Sequence, residues 1–209
     1  MTTFIDITHP LREEIATWPG DTPYQLTRVL NMSEGSSVNL TTITMSAHTG
    51  THVDAPLHFQ DDGTPLDQVD IMPYWGPAQV ISVDKPSGGL LPADLAHVDL
   101  SLAPRLLVHS TASHKPSTEF IREFVYPTPQ LAEWLAAHGI ILYGSDAPSM
   151  DDMHSNSLPG HNALQQNGIV IVEGLKLADV EDGVYDFVAM PLKIVGGDGC
   201  PVRAVLKTS

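Results

Sequence analysis

Residues 46–59, Ser-Ala-His-Thr-Gly-Thr-His-Val-Asp-Ala-Pro-Leu-His-Phe, admit few backbone paths. Gly50, the β-branched Thr49, Thr51 and Val53, and Pro56 all disfavour a helix, so His48 and His52 do not read as an i, i+4 pair. Upstream, Thr42, Thr44 and Ser46 alternate with Ile43, Met45 and Ala47, the period of a strand with a polar even face. His48, His52, Asp54 and His58 continue that even register. In a straight strand His48 and His52 would stand about 13 Å apart, too far to share one ion. Gly50 is the place where the chain can bend or bulge and bring them together. His52 and Asp54 are neighbours on one face, roughly 7 Å apart at the backbone. Pro56 stops the regular strand, so His58 is placed separately.

Imidazoles paired with a carboxylate are a common ligand set for zinc, iron and manganese. The chain has 10 histidines and a single cysteine, Cys200, so any metal site must be built from nitrogen and oxygen. Two further residues extend the candidate set. Glu173 ends the apolar run Ile169-Val170-Ile171-Val172; it reads equally as a partly buried ligand or as a solvated strand end. His161 follows Pro159-Gly160, and spacing alone reads it first as a helix-start residue.

Several elements are legible around this segment. Residues 79–84 and 105–109 read as strands. Thr128 and Pro129 read as the N-cap and first position of a helix carrying Leu131, Trp134, Leu135 and His138 on one face, closed by Gly139. Ile140–Tyr143 follows as a buried strand. A second helix over 161–167, closed by Gly168, leads into the strand ending at Glu173. Residues 186–195 and 200–207 read as a hairpin around Gly196-Gly197-Asp198-Gly199. The pattern is a mixed, strand-rich α/β fold forming one domain over residues 1–209, with some parallel pairing where helices lead into apolar strands.

Composition narrows the partners. Lys and Arg total 10 against 25 Asp and Glu, a formal charge of −15. Such a surface repels phosphate backbones and anionic lipid, so neither nucleic acid nor a membrane is an expected partner. The N-terminus lacks a basic start and an apolar run of signal-peptide length, and a lone thiol fits a reducing cytoplasm.

The stretch His48-Thr-Gly-Thr-His52-Val-Asp54-Ala-Pro56-Leu-His58-Phe59 resembles the signature of the cyclase-like metal hydrolases and, within them, the bacterial kynurenine formamidases. Ile5–Leu11, Trp18–Pro23, Gly144–Asp151, His161–Leu164, Ile171–Leu175, Pro191–Lys193 and Pro201–Val205 resemble further segments of that family, while the stretch from His109 to Tyr126 departs from it. The resemblance implies a compact β-barrel-like fold of the swivelling β/β/α kind, a homodimer, and a two-zinc site, with manganese as the other metal considered. Carried over by position, His48, His52 and Asp54 would hold one ion. Asp54 would bridge to a second ion held also by His161 and Glu173. His58 would be the acid/base, and Trp18 would lie at the substrate pocket. The implied reaction is hydrolysis of an aryl formamide, N-formylkynurenine.

Other readings share some of these residues. Another amide or lactam hydrolase of the same superfamily, of the isatin-hydrolysing kind, would use the same ligands. A non-haem iron oxygenase would need only His52, Asp54 and His161. A non-catalytic metal-binding protein would leave His58 without a role. Phe59 and Trp75 join Trp18 as aromatics able to stack on an aryl ring. His154 is a competing imidazole near His161. Ser110–His114 reads as a solvated loop, Gly196–Gly199 as a turn, and Cys200 as a buried filler.

Overall fold

The computed structural model describes residues 2–208. In chain order its strands are β1 (Phe4–Asp6), β2 (Gln25–Leu30), β3 (Leu40–Thr44), β4 (His52–Asp54), β5 (Trp75–Ser82), β6 (Gly88–Leu90), β7 (Arg105–His109), β8 (Val125–Pro127), β9 (Leu142–Ser145), β10 (Val170–Glu173), β11 (Gly183–Val188), β12 (Gly199–Pro201) and β13 (Val205–Lys207). The α-helices are α1 (Pro129–Ala137) and α2 (Pro159–Gln166). Nine strands form one sheet in the order β1-β13-β11-β5-β7-β9-β10-β4-β12. Its middle, β5-β7-β9-β10, is parallel, and its flanks are antiparallel.

The parallel strands are apolar on both faces because both faces are covered. In β7, Leu107 packs with Val53, Tyr74, Val80 and Phe187 on one side. Its neighbours Leu106 and Val108 pack on the other side against Leu131 and Leu135 of α1 and Leu164 of α2. Each such side chain, fully buried, contributes roughly 1.5–3 kcal/mol of transfer free energy. The sheet curls on itself. Beyond β1, Ile7 accepts a hydrogen bond from Lys176 N and Thr8 bridges to Leu175, just past β10 near the opposite end of the sheet. The result is a strand-rich half-barrel with two helices on its outer face, in line with the mixed α/β reading.

Helix α1 forms where the cap predicts it: Thr128 Oγ1 accepts from Leu131 N at 3.3 Å, Pro129 opens the helix, and Gly139 takes φ +81°. Three readings need correction. The even-register strand through residues 42–54 is two strands in different sheets. β3 pairs with β2 in an exposed two-stranded arm, a turn intervenes at residues 47–50 where Gly50 adopts φ +69°, and β4 enters the main sheet. The C-terminal hairpin is not a tight one. β11 and β13 do pair, but the chain between them carries Pro191 and detours to add β12 along the open edge of β4. Residues 110–114 are not a fully solvated loop; Thr111–His114 is a 3₁₀ turn with Ala112 and Ser113 buried.

Candidate metal centre

β4 lies between β10 and β12, and that register assembles the cluster. Glu173 stands directly opposite His52, and Gly199 opposite Asp54. Opposed residues of an antiparallel pair project to the same face, and so do His52 and Asp54 two residues apart. His52 Nε2 lies 3.4 Å from Asp54 Oδ1 and 3.4 Å from Glu173 Oε2. The Nδ1 of His52 sits 3.0 Å from Gly50 O, so it carries the proton and donates to that carbonyl, which leaves Nε2 as the metal-facing atom.

His161 arrives from a different element. It is the third residue of α2, and the start of that helix is held by Asp151, whose carboxylate accepts from Gly160 N at 2.7 Å and His161 N at 3.0 Å. The same carboxylate lies 2.7 Å from His161 Nδ1. Asp151 therefore fixes both the helix N-terminus and the imidazole tautomer. The Nε2 of His161 then faces Glu173 Oε1 at 3.3 Å and Asp54 Oδ2 at 3.6 Å.

A second group adjoins the first through Asp54. His48 Nδ1 is 3.0 Å from Asp54 Oδ1, and its Nε2 is 3.1 Å from Asp198 Oδ2. His58 stacks on His48 with ring centroids 3.8 Å apart, and its Nδ1 is 3.5 Å from Asp198 Oδ2. Ligand atoms of His48, Asp54 and His58 all lie within 4.8 Å of one another, as do those of His52, Asp54 and Glu173. All five residues read as ligands are thus brought together, with His58 beside them. The glycine turn at 196–199 does more than reverse the chain. It delivers Asp198, and Gly199 lies so close to His48 that a Cβ there would meet His48 Cε1 at 2.7 Å.

Do these residues fit a cation? With both Nδ1 atoms committed to Gly50 and Asp151, two Nε2 lone pairs and two carboxylates converge on one gap. Asp54 Oδ2 and Glu173 Oε1 are buried there without a hydrogen-bond partner. Four acceptors facing each other with nothing between them repel, so the gap requires either protons or a metal ion. In the metal-free protein protons serve. Burial pushes the His52 pKa down, but Asp54 and Glu173 outweigh it and raise it to about 10. His161 is likewise raised by Asp151, Asp54 and Glu173 against its burial. Burial raises Asp54 and Glu173, and their imidazole partners reverse this, holding both below the ordinary carboxylate range. His58 differs: burial dominates and holds its pKa below the usual imidazole value. The donor set is all nitrogen and oxygen, and it suits zinc or manganese.

Above the cluster lies a cavity of about 400 Å³. His48, His52, His58, His161 and Glu173 line its floor, and Trp18 lines its wall with Phe120 at 5.3 Å, edge to face. Trp75 and Phe59 do not line this cavity. Trp75 is 66% exposed at the start of β5, and Phe59 packs against His161 from behind. His154 is exposed at the surface, and Cys200 is fully buried in the core. The oxygenase reading loses ground on geometry, because Glu173 joins His52, Asp54 and His161 where a facial triad leaves positions open.

A cyclase family model matches residues 5–152, most of the chain and all of the His48–His58 segment. The chain belongs to the cyclase family. A cyclase-family relative from Geobacillus thermodenitrificans, a kynurenine formamidase, is 43% identical over 208 residues, 99% of this chain and 98% of that protein. The structure of a predicted metal-dependent hydrolase from Bacillus stearothermophilus superposes with a TM-score of 0.84 at 30% identity, over 99% of this chain and 98% of that one. An isatin hydrolase from Labrenzia aggregata shares the fold, with a TM-score of 0.84 at 23% identity over 99% of this chain and 94% of that one. These likenesses make this cyclase-family chain a hydrolase. Sequence reasoning had passed over Asp151 and Asp198 as site residues. Each lies on a loop far from its partner, and only the signal of an acidic residue among glycines or before a proline-started helix marked either one.

Proposed function

We propose that this chain, as one domain and a homodimer, hydrolyses the formamide bond of N-formyl-L-kynurenine to L-kynurenine and formate, with two zinc ions per subunit. The reading rests on one observation above the others: buried, unpartnered Asp54 Oδ2 and Glu173 Oε1 face His161 Nε2, and His52 Nε2 faces the other oxygens of the same two carboxylates, beneath the cavity. Kynurenine formamidases at 38–43% identity across the chain support the substrate.

His48, His52, Asp54, His161 and Glu173 would hold the metal, with Asp54 shared between the two groups. Zinc, when bound, supplies hydroxide near neutral pH by lowering the pKa of water to about 7, and polarises a carbonyl as a Lewis acid. The chain's own residues do the rest. Trp18 and Phe120 form an aromatic wall against which an aryl ring can lie. Asp151 keeps His161 in the tautomer that presents Nε2. His58 is neutral near pH 7 because of its burial, so its ring can take a proton and return it. A water oxygen adds to the formyl carbon as His58 takes the proton that water gives up; the C–N bond then breaks, formate departs, and His58 returns that proton to the aniline nitrogen.

Zinc-loaded protein given N-formylkynurenine should release kynurenine and formate one to one, and prolonged chelation should abolish this. Equal or faster turnover of isatin would replace the formamidase reading with the lactam-hydrolase one.

A further inference from the structure

The cavity above the cluster carries a charge pattern that neither the metal site nor the aromatic wall explains. Asp21, Glu119, Asp146 and Asp152 line it besides the metal site's own Glu173, against a single lysine or arginine among the described residues, Lys115. The ion pairs of the described residues employ Lys85, Lys207 and Arg203, and leave Lys115 out. In a chain of net charge −15, an unpaired ammonium at this mouth is a conspicuous attractor for an anion.

The backbone that carries Lys115 is fixed on both sides. Before it, the buried carboxylate of Asp146 accepts from Ser110 N and Ser110 Oγ, both at 2.7 Å, and from Ser113 N at 3.0 Å. The Lys115 N–H itself donates to Ala112 O at 3.0 Å. After it, Ser117 O accepts from Ala16 N at 2.8 Å and Ser117 Oγ accepts from Arg12 Nη2 at 3.2 Å. Phe120 closes against Trp18 three residues further on. Lys115 thus projects from a pinned segment that also supplies half of the aromatic wall, so its position relative to that wall is set.

The proposed substrate has two ends: an aryl formamide, and a side chain ending in an α-amino acid. With the formamide at the floor and the ring against the wall of Trp18 and Phe120, the charged tail must lie toward the mouth. We propose that Lys115 binds the carboxylate of that tail and is the residue that selects an amino-acid-bearing aryl formamide over a tailless one. This rests on the formamidase reading above. The lining carboxylates would repel an incoming carboxylate, and Lys115 offsets them at the one point where the tail arrives. Glu119 and Asp152, lining the same mouth, suit the neighbouring ammonium.

The test compares two substrates on zinc-loaded protein, N-formylkynurenine and N-formyl-2-aminoacetophenone, which keeps the aryl formamide and lacks the amino-acid tail. Lys115→Ala should raise KM for N-formylkynurenine about tenfold or more with kcat within twofold, and leave both constants for the tailless substrate unchanged. Lys115→Arg should restore KM, and Lys115→Glu should raise it further. Since the Lys115 side chain is exposed and unpaired, these variants should fold, which circular dichroism checks. Equal losses on both substrates, no change on either, or a wild-type chain that prefers the tailless substrate would overturn the assignment to Lys115 while leaving the formamidase reading intact. A wild-type chain that turns over neither substrate would overturn both.

Discussion

His58 is the histidine of the segment with the loosest hold. Its side chain is 34% exposed, whereas those of His52 and His161 are 4% exposed, and its nearest polar partner is Asp198 at 3.5 Å. A group that must exchange protons needs that freedom, and a ligand does not. His48, by contrast, is pinned through both ring nitrogens, to Asp54 and Asp198. His58→Ala should therefore keep the bound metal, as read by elemental analysis, and lose formamide hydrolysis by at least about 10²-fold, the ordinary scale of a general acid–base contribution. Loss of metal in that variant would move His58 from proton carrier to ligand.

At the scale of elements, the site depends on α2 beginning where it does. Asp151 caps the helix and orients His161 with one carboxylate, so a neutral amide there weakens two functions together. Asp151→Asn should lower zinc affinity or hydrolysis by about 10- to 100-fold, measured by competition with a chromophoric chelator, with Tm falling by only a few degrees. An effect on Tm with metal affinity unchanged would make Asp151 a helix cap and nothing more. What was legible in the sequence divides along the same line. α1 was readable because its cap, its apolar stripe and its closing glycine are all local signals, and β7 because its run is apolar on both faces. β10 was readable to within a residue. The pairing of β12 with β4 was not, because three residues carry no periodicity and register is decided by which edge is free. For the same reason Asp198, the residue before β12, looked like part of a turn. Asp151 escaped notice because its partner is ten residues away and its role appears only once α2 has formed. The histidines and Asp54 were visible because ligand chemistry leaves residue types in one short stretch, whereas the side chains that orient them can come from anywhere in the fold.

At the scale of the whole molecule, the arm of β2 and β3 is exposed along both strands and stands apart from the main sheet. Leu26 and Ile43 oppose one another in its register and are 46% and 53% exposed. Isolated two-stranded hairpins are marginal in water, so covering by a second copy would stabilise the arm. The double variant Leu26→Glu with Ile43→Lys keeps an attractive cross-strand pair and removes the apolar face. If the proposed homodimer forms through this arm, the variant should elute as a monomer by light scattering and the unaltered chain as a dimer; two dimers, or two monomers, would refute the arm as the contact.

Stability against pH follows from what fills the gap between His52, Asp54, His161 and Glu173. Without metal, protons fill it. A group whose pKa is raised on folding stabilises fully below its unfolded value, near 6.5 for His, and loses that contribution as pH rises through the folded value, about 10 for His52. His161 and His48 are raised as well, so they act in the same direction. Metal-free protein should therefore lose Tm steadily between about pH 6.5 and 10. Asp54 and Glu173 are lowered on folding, so their contribution disappears instead on acidification. With zinc in place the imidazoles are already deprotonated, and the alkaline loss should vanish. Acid then becomes the weakness, because protons compete for His52, His161 and His48 and release the metal. Calorimetric scans from pH 5 to 10, with chelator and with zinc, should give Tm slopes of opposite sign across neutrality. Parallel slopes would mean that the cluster is held by something other than exchangeable protons and metal, and the two-ion reading of this face would fail with them.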